Sequence, residues 1–347
     1  MPSYVWDLVD PTELVNYVRT YDNEVLSQEA NFVLDGYLPN VLTDELDFRV
    51  RKGSLQDVDA GVFRAWDTPA PLTDRPGTAR ISGELGPVSR QIQLSEEEHL
   101  RLRALERGTD DPIIDAIYAD SERMIRSVQA RIEIARGDLI DDGKLTIAEN
   151  GLVMEADWGR SATASPTAAI EWDLPATATP LSDLLGWLED YDDLNGTLPA
   201  NTVISRQTFG FLALNAELRD YNASGGTTPT RLTSAAINGT LAAEGIPPFL
   251  IYDGQFRVNG TRTRVLNQNK AYFMPPSTEA LGETRYGITA EAMVLRERGL
   301  IDAESMPGVV AVVTANDHPT QTFTVGAAVA LPIMPNPDLV FDCLINT

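Results

Sequence analysis

The stretch DPIIDAIYADSERMIRSVQARIEIARG, residues 111–137, carries the clearest structural signal in the chain. Asp111 and Pro112 are typical of a helix start, and Gly137 is typical of a helix stop. The pattern therefore predicts a helix to about Arg136, a rod of about 37 Å at ~1.5 Å per residue, which is long for a globular protein. Its apolar side chains recur at helical spacing and predict one buried stripe of Ile114, Tyr118, Ile125, Val128, Ile132 and Ala135.

The same predicted helix carries mixed charges outside the stripe. Four arginines alternate with two glutamates: Arg123, Arg126, Arg131, Arg136, Glu122 and Glu133. Alternating charges of this kind favour a solvated helix face with ion pairs over an anion-binding site.

The preceding segment, AGVFRAWDTPAPLTDRPGTARISGELGPVSRQIQL (residues 60–94), is strand-like at residues 62–66 and 88–94, with prolines between. It predicts a long β-hairpin with too few apolar side chains for a core of its own. Because an isolated ribbon is marginally stable in water, the hairpin has to lie on another surface. Arms of ~12 residues reach about 40 Å, so a neighbouring molecule is one such surface. A hairpin folded back on its own domain is the alternative.

Shorter signals divide the rest of the chain. Asp10, Pro11 and Glu13 predict a helix start, with the helix continuing to about Tyr21. Asp-Gly at 142–143 and Asn-Gly at 150–151 predict two hairpin turns. A stretch rich in proline, threonine and alanine (residues 162–180) predicts a boundary, after which Thr179 and Pro180 open a helix.

Beyond this boundary, helices and short strands alternate. Helices are predicted over residues 181–191, 207–219 and 232–245, and strands over 202–205, 248–252 and 271–274. The last segment, FTVGAAVALPIMPNPDLVFDCLI (residues 323–345), is strand-like and interrupted by prolines.

One basic stretch contrasts with the rest of the chain. YDGQFRVNGTRTRVLNQNKAYFMPP (residues 252–276) contains Arg257, Arg262, Arg264 and Lys270, whereas the chain has 51 acidic and 27 basic side chains and a net charge of −24. Asn259-Gly260 predicts a hairpin turn within it. Its basic side chains could bind phosphate, form a catalytic loop, or face an acidic copy of the same protein; we favour the last.

Composition excludes several protein classes. With 347 residues and 43% hydrophobic content, the chain can bury a sizeable core, divided between two units. A net charge of −24 disfavours tight binding to nucleic acid. Cys343 is the single cysteine, and with only His99 and His318 beside it a four-ligand structural zinc site is not expected. No signal peptide or membrane span is predicted, so we expect a soluble protein made in a reducing cytoplasm.

Catalytic signatures are also missing from the sequence. No nucleophile elbow, phosphate loop, dinucleotide fingerprint or zinc-protease motif occurs. His99 is predicted on a solvated helix, which would leave His318 as the histidine of any catalytic triad. Residues 190–196 (DYDDLNG) lack the spacing of a calcium loop. We predict no catalytic, cofactor-binding or metal-binding residue and no enzyme activity, with a carboxylate-based hydrolase as the alternative.

Three stretches of the sequence, taken in their order along the chain, resemble a known protein family. They are residues 63–94, residues 153–161 (VMEADWGRS) with 170–173 (IEWD), and residues 252–276 with 282–288 (GETRYGI) and 323–338 (FTVGAAVALPIMPNPD). Together they resemble the tailed-phage major capsid proteins, in the family of the phage lambda major head protein. The match extends from about residue 60 to the end and is weak in the N-terminal arm.

The resemblance implies an α+β, HK-97-like capsid fold with four parts. We expect an N-terminal arm at residues 1–45, an extended β-hairpin loop at 46–95, and an axial domain at 180–315. The peripheral domain, with the long spine helix, would comprise residues 96–179 and 316–347.

The same resemblance implies a structural role in an icosahedral head. Subunits would form hexamers and pentamers around double-stranded DNA without sequence-specific contacts, in virions assembled in the bacterial cytoplasm. Expected partners are the protein itself, a scaffolding protein, the portal and a decoration protein, and no membrane. A tail-tube subunit is the alternative structural role.

Two details refine the expectation. Some relatives cross-link their shells through a lysine in the extended loop. The lysines here are Lys52, Lys144 and Lys270, and none lies between Ala60 and Leu94, so we predict a non-covalent shell. The extended loop begins near residue 46, so we expect the scaffolding protein to be a separate chain. The candidate subunit-contact residues are Arg64, Trp66, Arg75, Arg80, Arg90, Arg257, Arg262 and Arg264, whose arginines would face acid on adjacent copies.

Overall fold

The computed structural model describes residues 3–4, 9–24, 29–52, 79–105, 111–223, 226–276, 281–302 and 306–346. Its helices are α1 Pro11–Glu24, α2 Glu96–Leu105, α3 Asp111–Asp142, α4 Pro180–Asn195, α5 Arg206–Leu214, α6 Ala216–Tyr221, α7 Ser234–Ala243 and α8 Ala290–Glu297. Its strands are β1 Ser3–Tyr4, β2 Asn40–Leu42, β3 Asp47–Lys52, β4 Ala79–Glu84, β5 Gly86–Leu94, β6 Lys144–Glu149, β7 Leu152–Asp157, β8 Asn201–Ile204, β9 Phe249–Ile251, β10 Gln255–Val258, β11 Thr261–Arg264, β12 Lys270–Met274, β13 Glu283–Gly287, β14 Val310–Asp317, β15 Thr320–Ile333 and β16 Phe341–Leu344.

The predicted spine helix is α3, and it is longer than expected. It has 32 residues and passes through Gly137, so the predicted stop at Gly137 is wrong. A Cβ atom on Gly137 would lie 2.2 Å from the carbonyl oxygen of Val265. The glycine therefore allows the helix to pass close to another backbone segment, and the helix ends instead at Gly143, whose φ is +71°.

Substituting Gly137 tests this close approach. In an open helix, glycine to alanine stabilises by ~0.5–1 kcal/mol, but Gly137→Ala should destabilise by about 1–3 kcal/mol because the new methyl group overlaps backbone. Gly186 is the matched control, since it lies in α4 with nothing within 4 Å of its added Cβ. Chemical denaturation of the unassembled subunit should give opposite signs for the two substitutions. Equal stabilisation by both substitutions would contradict the close approach of the Val265 backbone to Gly137.

The principal sheet packs against α3. Its strands have the order β1-β14-β15-β13-β2, and β5 also pairs with β15. The segment of β15 that pairs with β5 overlaps the segments that pair with β14 and β13, so β5 lies on the opposite side of β15. The buried stripe of α3 faces this sheet, with Ile125, Val128 and Ile132 at most 2% exposed.

The second arm of the predicted hairpin belongs to this sheet. β5 pairs with β15 over nine residue pairs, from Gly86↔Ala330 to Leu94↔Thr322. The expectation that residues 88–94 lie on a neighbouring molecule is therefore wrong. Residues 62–66, the other predicted arm, lie outside the described residues. A ribbon does exist nearer the start of the loop, where β3 pairs with β4.

Two of the turns follow the sequence prediction, and one does not. Asn150 and Gly151 join β6 to β7, and Asn259 and Gly260 join β10 to β11, all four with positive φ. Asn-Gly pairs favour this type of turn because both residues tolerate the left-handed region. The pair at 142–143 was expected to form a hairpin turn as well, but it ends α3.

The chain after residue 179 builds a second hydrophobic core. Pro180 opens α4 as predicted, and the sheet β16-β12-β8-β9 packs with α4, α5 and α7. The helix predicted over residues 207–219 is two helices, because Asn215 ends α5 and caps α6 by accepting a hydrogen bond from the Leu218 amide at 3.1 Å. Trp172 and Trp187 stack in this core at 5.8 Å between ring centroids. The predicted domain boundaries stay predictions; β13 and β14, placed in the axial segment, pair with β15.

Candidate functional site

A buried ion pair lies in the C-terminal third of α3. Glu133 and Arg136 are 2.9 Å apart, and their side chains are 0% and 3% exposed. Burial raises the pKa of Glu133, and the positive charge of Arg136 opposes that shift. The predicted solvated face is therefore wrong at Arg136, although Arg123, Arg126 and Arg131 do form exposed or partly exposed ion pairs.

This ion pair ties the N-terminal arm to the spine helix. Glu133 accepts hydrogen bonds from the amides of Val33 and Leu34 at 3.0 and 2.9 Å. Arg136 donates to Asn40 and to Thr284, so one guanidinium joins β2 and β13 to α3. The arm is thereby held by polar contacts that are shielded from water.

Asp22, near the end of α1, lies beside the same pair. Burial raises its pKa from 3.8 to about 6, while a hydrogen bond from Gln129 and the charge of Arg136 lower it. Asp35 adds a negative charge close by. The arm therefore meets α3 through carboxylates that share one arginine.

A second buried charge cluster lies at the C-terminal end of α3. Arg160 and Asp342 are 3.0 Å apart and 3% and 7% exposed. Lys270 contacts Asp342 at 2.9 Å and Asp141 at 3.0 Å. Burial lowers the pKa of Lys270, but its bonds to these carboxylates outweigh burial and raise it. The Lys270 amine is therefore bound to carboxylates of its own subunit and does not belong to an exposed basic surface.

The remaining basic residues of the 252–276 stretch lie on the β10–β11 hairpin. Arg257 and Arg262 are direct cross-strand partners, and both are exposed. Arg264 instead forms an ion pair with Asp253 at 2.9 Å. Like charges placed directly opposite each other destabilise a hairpin, so a negative charge from outside the hairpin would stabilise Arg257 and Arg262.

The extended-loop candidates are only partly described. Arg64, Trp66 and Arg75 lie outside the described residues. Arg80 is in β4, with Arg51 as its register partner. Arg90 is exposed on β5 and donates to the Ser127 hydroxyl on α3 at 2.9 Å.

A wide groove connects several of these residues. It has a volume of about 1030 Å³ and lies between β5, α3 and the tips of the β6–β7 and β10–β11 hairpins. Apolar side chains such as Val128, Ile132 and Phe256 line it, and Glu149 is the single carboxylate of the described lining. Five arginines also line it: Arg90, Arg123, Arg126, Arg131 and Arg257. We call this surface the basic groove; the sequence did not predict it, because its walls come from five separate segments, the fifth being residues 330–332 of β15.

The structure describes two features that the sequence raised as possible catalytic or metal sites, His99 and residues 190–196. His99 is not simply solvated, since its Nε2 lies 2.9 Å from the hydroxyl of Thr322. Residues 190–195 of the calcium-like stretch are helical, within α4. Over the described ranges, no group of three or more His, Cys, Asp or Glu side chains could hold a metal ion. The helices described there also include none long and apolar enough to cross a membrane.

The family model of phage major capsid protein E matches residues 22–343. The chain belongs to this family. The match covers nearly the whole chain, including the residues of the basic groove, so the predicted tailed-phage major capsid protein is confirmed. A comparison with curated proteins finds no match.

Solved structures share the fold of this major capsid protein. A prophage protein of Escherichia coli CFT073, assigned as a capsid protein, has 14% identity and a TM-score of 0.61 and covers 100% of both chains. A phage-related protein of Bordetella bronchiseptica RB50 has 11% identity and a TM-score of 0.57, covering 99% of this chain and 97% of its own. The α+β, HK-97-like capsid fold is thus confirmed.

Proposed function

We propose that this major capsid protein forms hexamers and pentamers that close into an icosahedral shell around double-stranded DNA. The family match over residues 22–343 carries this proposal. The exposed Arg257–Arg262 pair supports it, because each copy then needs an acidic surface on another molecule. In a chain of net charge −24, copies of the same protein offer such surfaces in abundance.

The proposed role is structural, without enzyme activity. Candidate contacts between subunits are Arg64, Trp66, Arg75, Arg80, Arg90, Arg257 and Arg262. Arg264 also remains a candidate, although Asp253 already neutralises much of its charge. The shell would be a component of the virion, assembled in the bacterial cytoplasm with a separate scaffolding protein, the portal and a decoration protein as partners.

The proposed shell is non-covalent. Of the three lysines, Lys144 pairs with Asp157, and Lys270 is held by Asp141 and Asp342. Both amines are therefore engaged within their own subunit, which supports shell contacts made by packing and charge rather than by cross-links.

Electron microscopy tests the proposal directly. The protein purified from virions, or co-expressed with its scaffolding protein, should form closed polyhedral shells that dissolve to single subunits on a denaturing gel. A covalent ladder on that gel would contradict the non-covalent shell. Long tubes would indicate a tail-tube subunit instead, and monomers at every concentration would overturn shell formation.

A further inference from the structure

Two cross-strand pairs of like charge and opposite sign are exposed in the described part of the chain; the β3–β4 ribbon also pairs Arg51 with Arg80 in register. Arg257 faces Arg262 across the β10–β11 hairpin, and Asp47 faces Glu84 across the β3–β4 ribbon. All four residues are exposed, and none has an ion-pair partner within the described part of the chain. Each pair costs its own hairpin stability, and each would be relieved by the charge that the other carries.

The surroundings of the acidic pair are unusual for a protein surface. Residues 41–47 (VLTDELD) include Asp44 and Glu45 beside Asp47, all three exposed. Leu42 and Leu46 are 60% and 55% exposed in the same segment. We call residues 41–47 together with Glu84 the acidic knob. Clustered apolar side chains within an acidic rim indicate an interaction surface.

The basic groove has the complementary character. Its lining combines apolar side chains with five arginines and a single carboxylate, Glu149. Three of those arginines are already opposed by acids, Arg131 by Glu149, Arg126 by Glu29 and Arg123 by Asp120. Arg90 and Arg257 have no carboxylate partner among the described residues, so the groove offers unmatched positive charge beside apolar surface.

We propose that the acidic knob of one copy docks in the basic groove of a second copy, with Asp47 and Glu84 facing Arg257 in the groove and its cross-strand partner Arg262 beside it. Leu42 and Leu46 then leave water against the apolar lining of the groove. The proposal rests on the proposed shell and names which surfaces meet within it. Complementary charges of this kind set the register of the contact and suppress wrong pairings.

A polypeptide fits this groove better than DNA does. Phosphate backbone would satisfy the arginines, but it would leave the apolar lining of the groove without an apolar partner. The whole chain also carries a net charge of −24, which repels nucleic acid at long range. A second copy supplies both acid and exposed leucine in one segment.

Charge exchange tests the contact, and thermal melting of the free subunit checks that each variant folds. The variants R257E/R262E and D47R/E84R each keep a like-charged cross-strand pair, although Arg264 and Arg49 lie beside the changed positions on the same strands. Because all four substitutions are on the surface, the free subunit should melt within about 5 °C of the parent. Each double variant should reduce shell yield at least about tenfold, since opposed like charges disfavour docking. The quadruple variant restores opposite charges and should recover shells. Arg231→Glu, an exposed arginine away from the groove, is the matched control and should assemble normally.

The readouts are electron microscopy of co-expressed particles and sedimentation of the free subunit at increasing concentration. Loss of assembly in both double variants with recovery in the quadruple variant supports the contact. Normal shells from either double variant, or no recovery in the quadruple, overturn it while the shell itself stands. Normal shells from R257E/R262E that bind double-stranded DNA less tightly would assign the groove to nucleic acid. If the unsubstituted protein forms no shells, the proposed function is wrong. Sedimentation of the free subunits then still shows whether each variant weakens or restores the contact between two copies.

Discussion

Replacing Arg136 by alanine should lower the free energy of unfolding by about 3–5 kcal/mol, the usual cost of stranding one buried charge of a pair. Glu133 has 0% side-chain exposure, and Arg136 is its one cationic partner in the described chain. The substitution also removes the donors to Asn40 and Thr284, so the N-terminal arm and β13 lose their shared contact with α3. Denaturation of the unassembled subunit, followed by tryptophan fluorescence, measures the loss.

Two controls separate a stranded charge from a simple loss of packing. The double variant E133Q/R136M removes both charges and should cost less than Arg136→Ala alone, because no ion is left buried without a partner. Arg101→Ala breaks an exposed pair with Glu97, whose side chains are 76% and 73% exposed, and should change stability by less than ~1 kcal/mol. A cost for Arg136→Ala no larger than that of Arg101→Ala would show that the buried pair contributes little.

The sequence predicted the helices and turns that depend on local pattern. The Asn-Gly turns at residues 150–151 and 259–260 and the apolar stripe of α3 from Ile125 to Ala135 are properties of neighbouring residues, and the structure confirms them. In the first turns of α3 the buried residues are Ile113 and Ile117, not the predicted Ile114 and Tyr118, which are partly buried. The length of α3 was not predictable in this way. Gly137 reads locally as a stop, but it is needed because Val265, far along the chain, passes against the helix.

The pairing of β5 was missed for a similar reason. A polar strand preceded by a proline-rich loop is typical of one arm of a free hairpin, and only the tertiary fold brings β15 alongside it. Its side chains are mostly exposed because β5 lies at the border of the sheet. The polar side chains of residues 88–94 therefore indicate an edge strand of a sheet, not an arm of a free hairpin.

The candidate site was predicted in part. Charge contrast alone identified the stretch that contains Arg257 and Arg262, and these two are exposed as expected. The same contrast wrongly grouped Lys270 with them, because sequence cannot show that Asp141 and Asp342 approach it from α3 and β16. The basic groove required the fold, which collects arginines from β5, α3 and β10.

Arg160→Ala is expected to destabilise the subunit by about 2–3 kcal/mol, less than Arg136→Ala, because Lys270 still pairs with Asp342 and the loss is mainly of charged hydrogen bonds. Arg160 donates to the carbonyl oxygens of Ile140 and Asp141 at 2.9 and 3.2 Å, so it satisfies groups that the end of α3 leaves open. It also pairs with Asp342 on β16, and its side chain is 3% exposed. Removing it leaves both the buried carboxylate and the helix end with fewer donors than they need.

Lysine at position 160 is the informative comparison. Arg160→Lys keeps the positive charge near Asp342, but its single ammonium group cannot reach both the carboxylate and the helix carbonyls with the fixed fork of a guanidinium. We therefore expect a loss of stability between those of the parent and Arg160→Ala. Arg131→Ala, which breaks a partly exposed pair on the same helix, should cost less than ~1 kcal/mol. If lysine restored full stability, charge alone would explain Arg160, and the hydrogen bonds to the end of α3 would contribute nothing measurable.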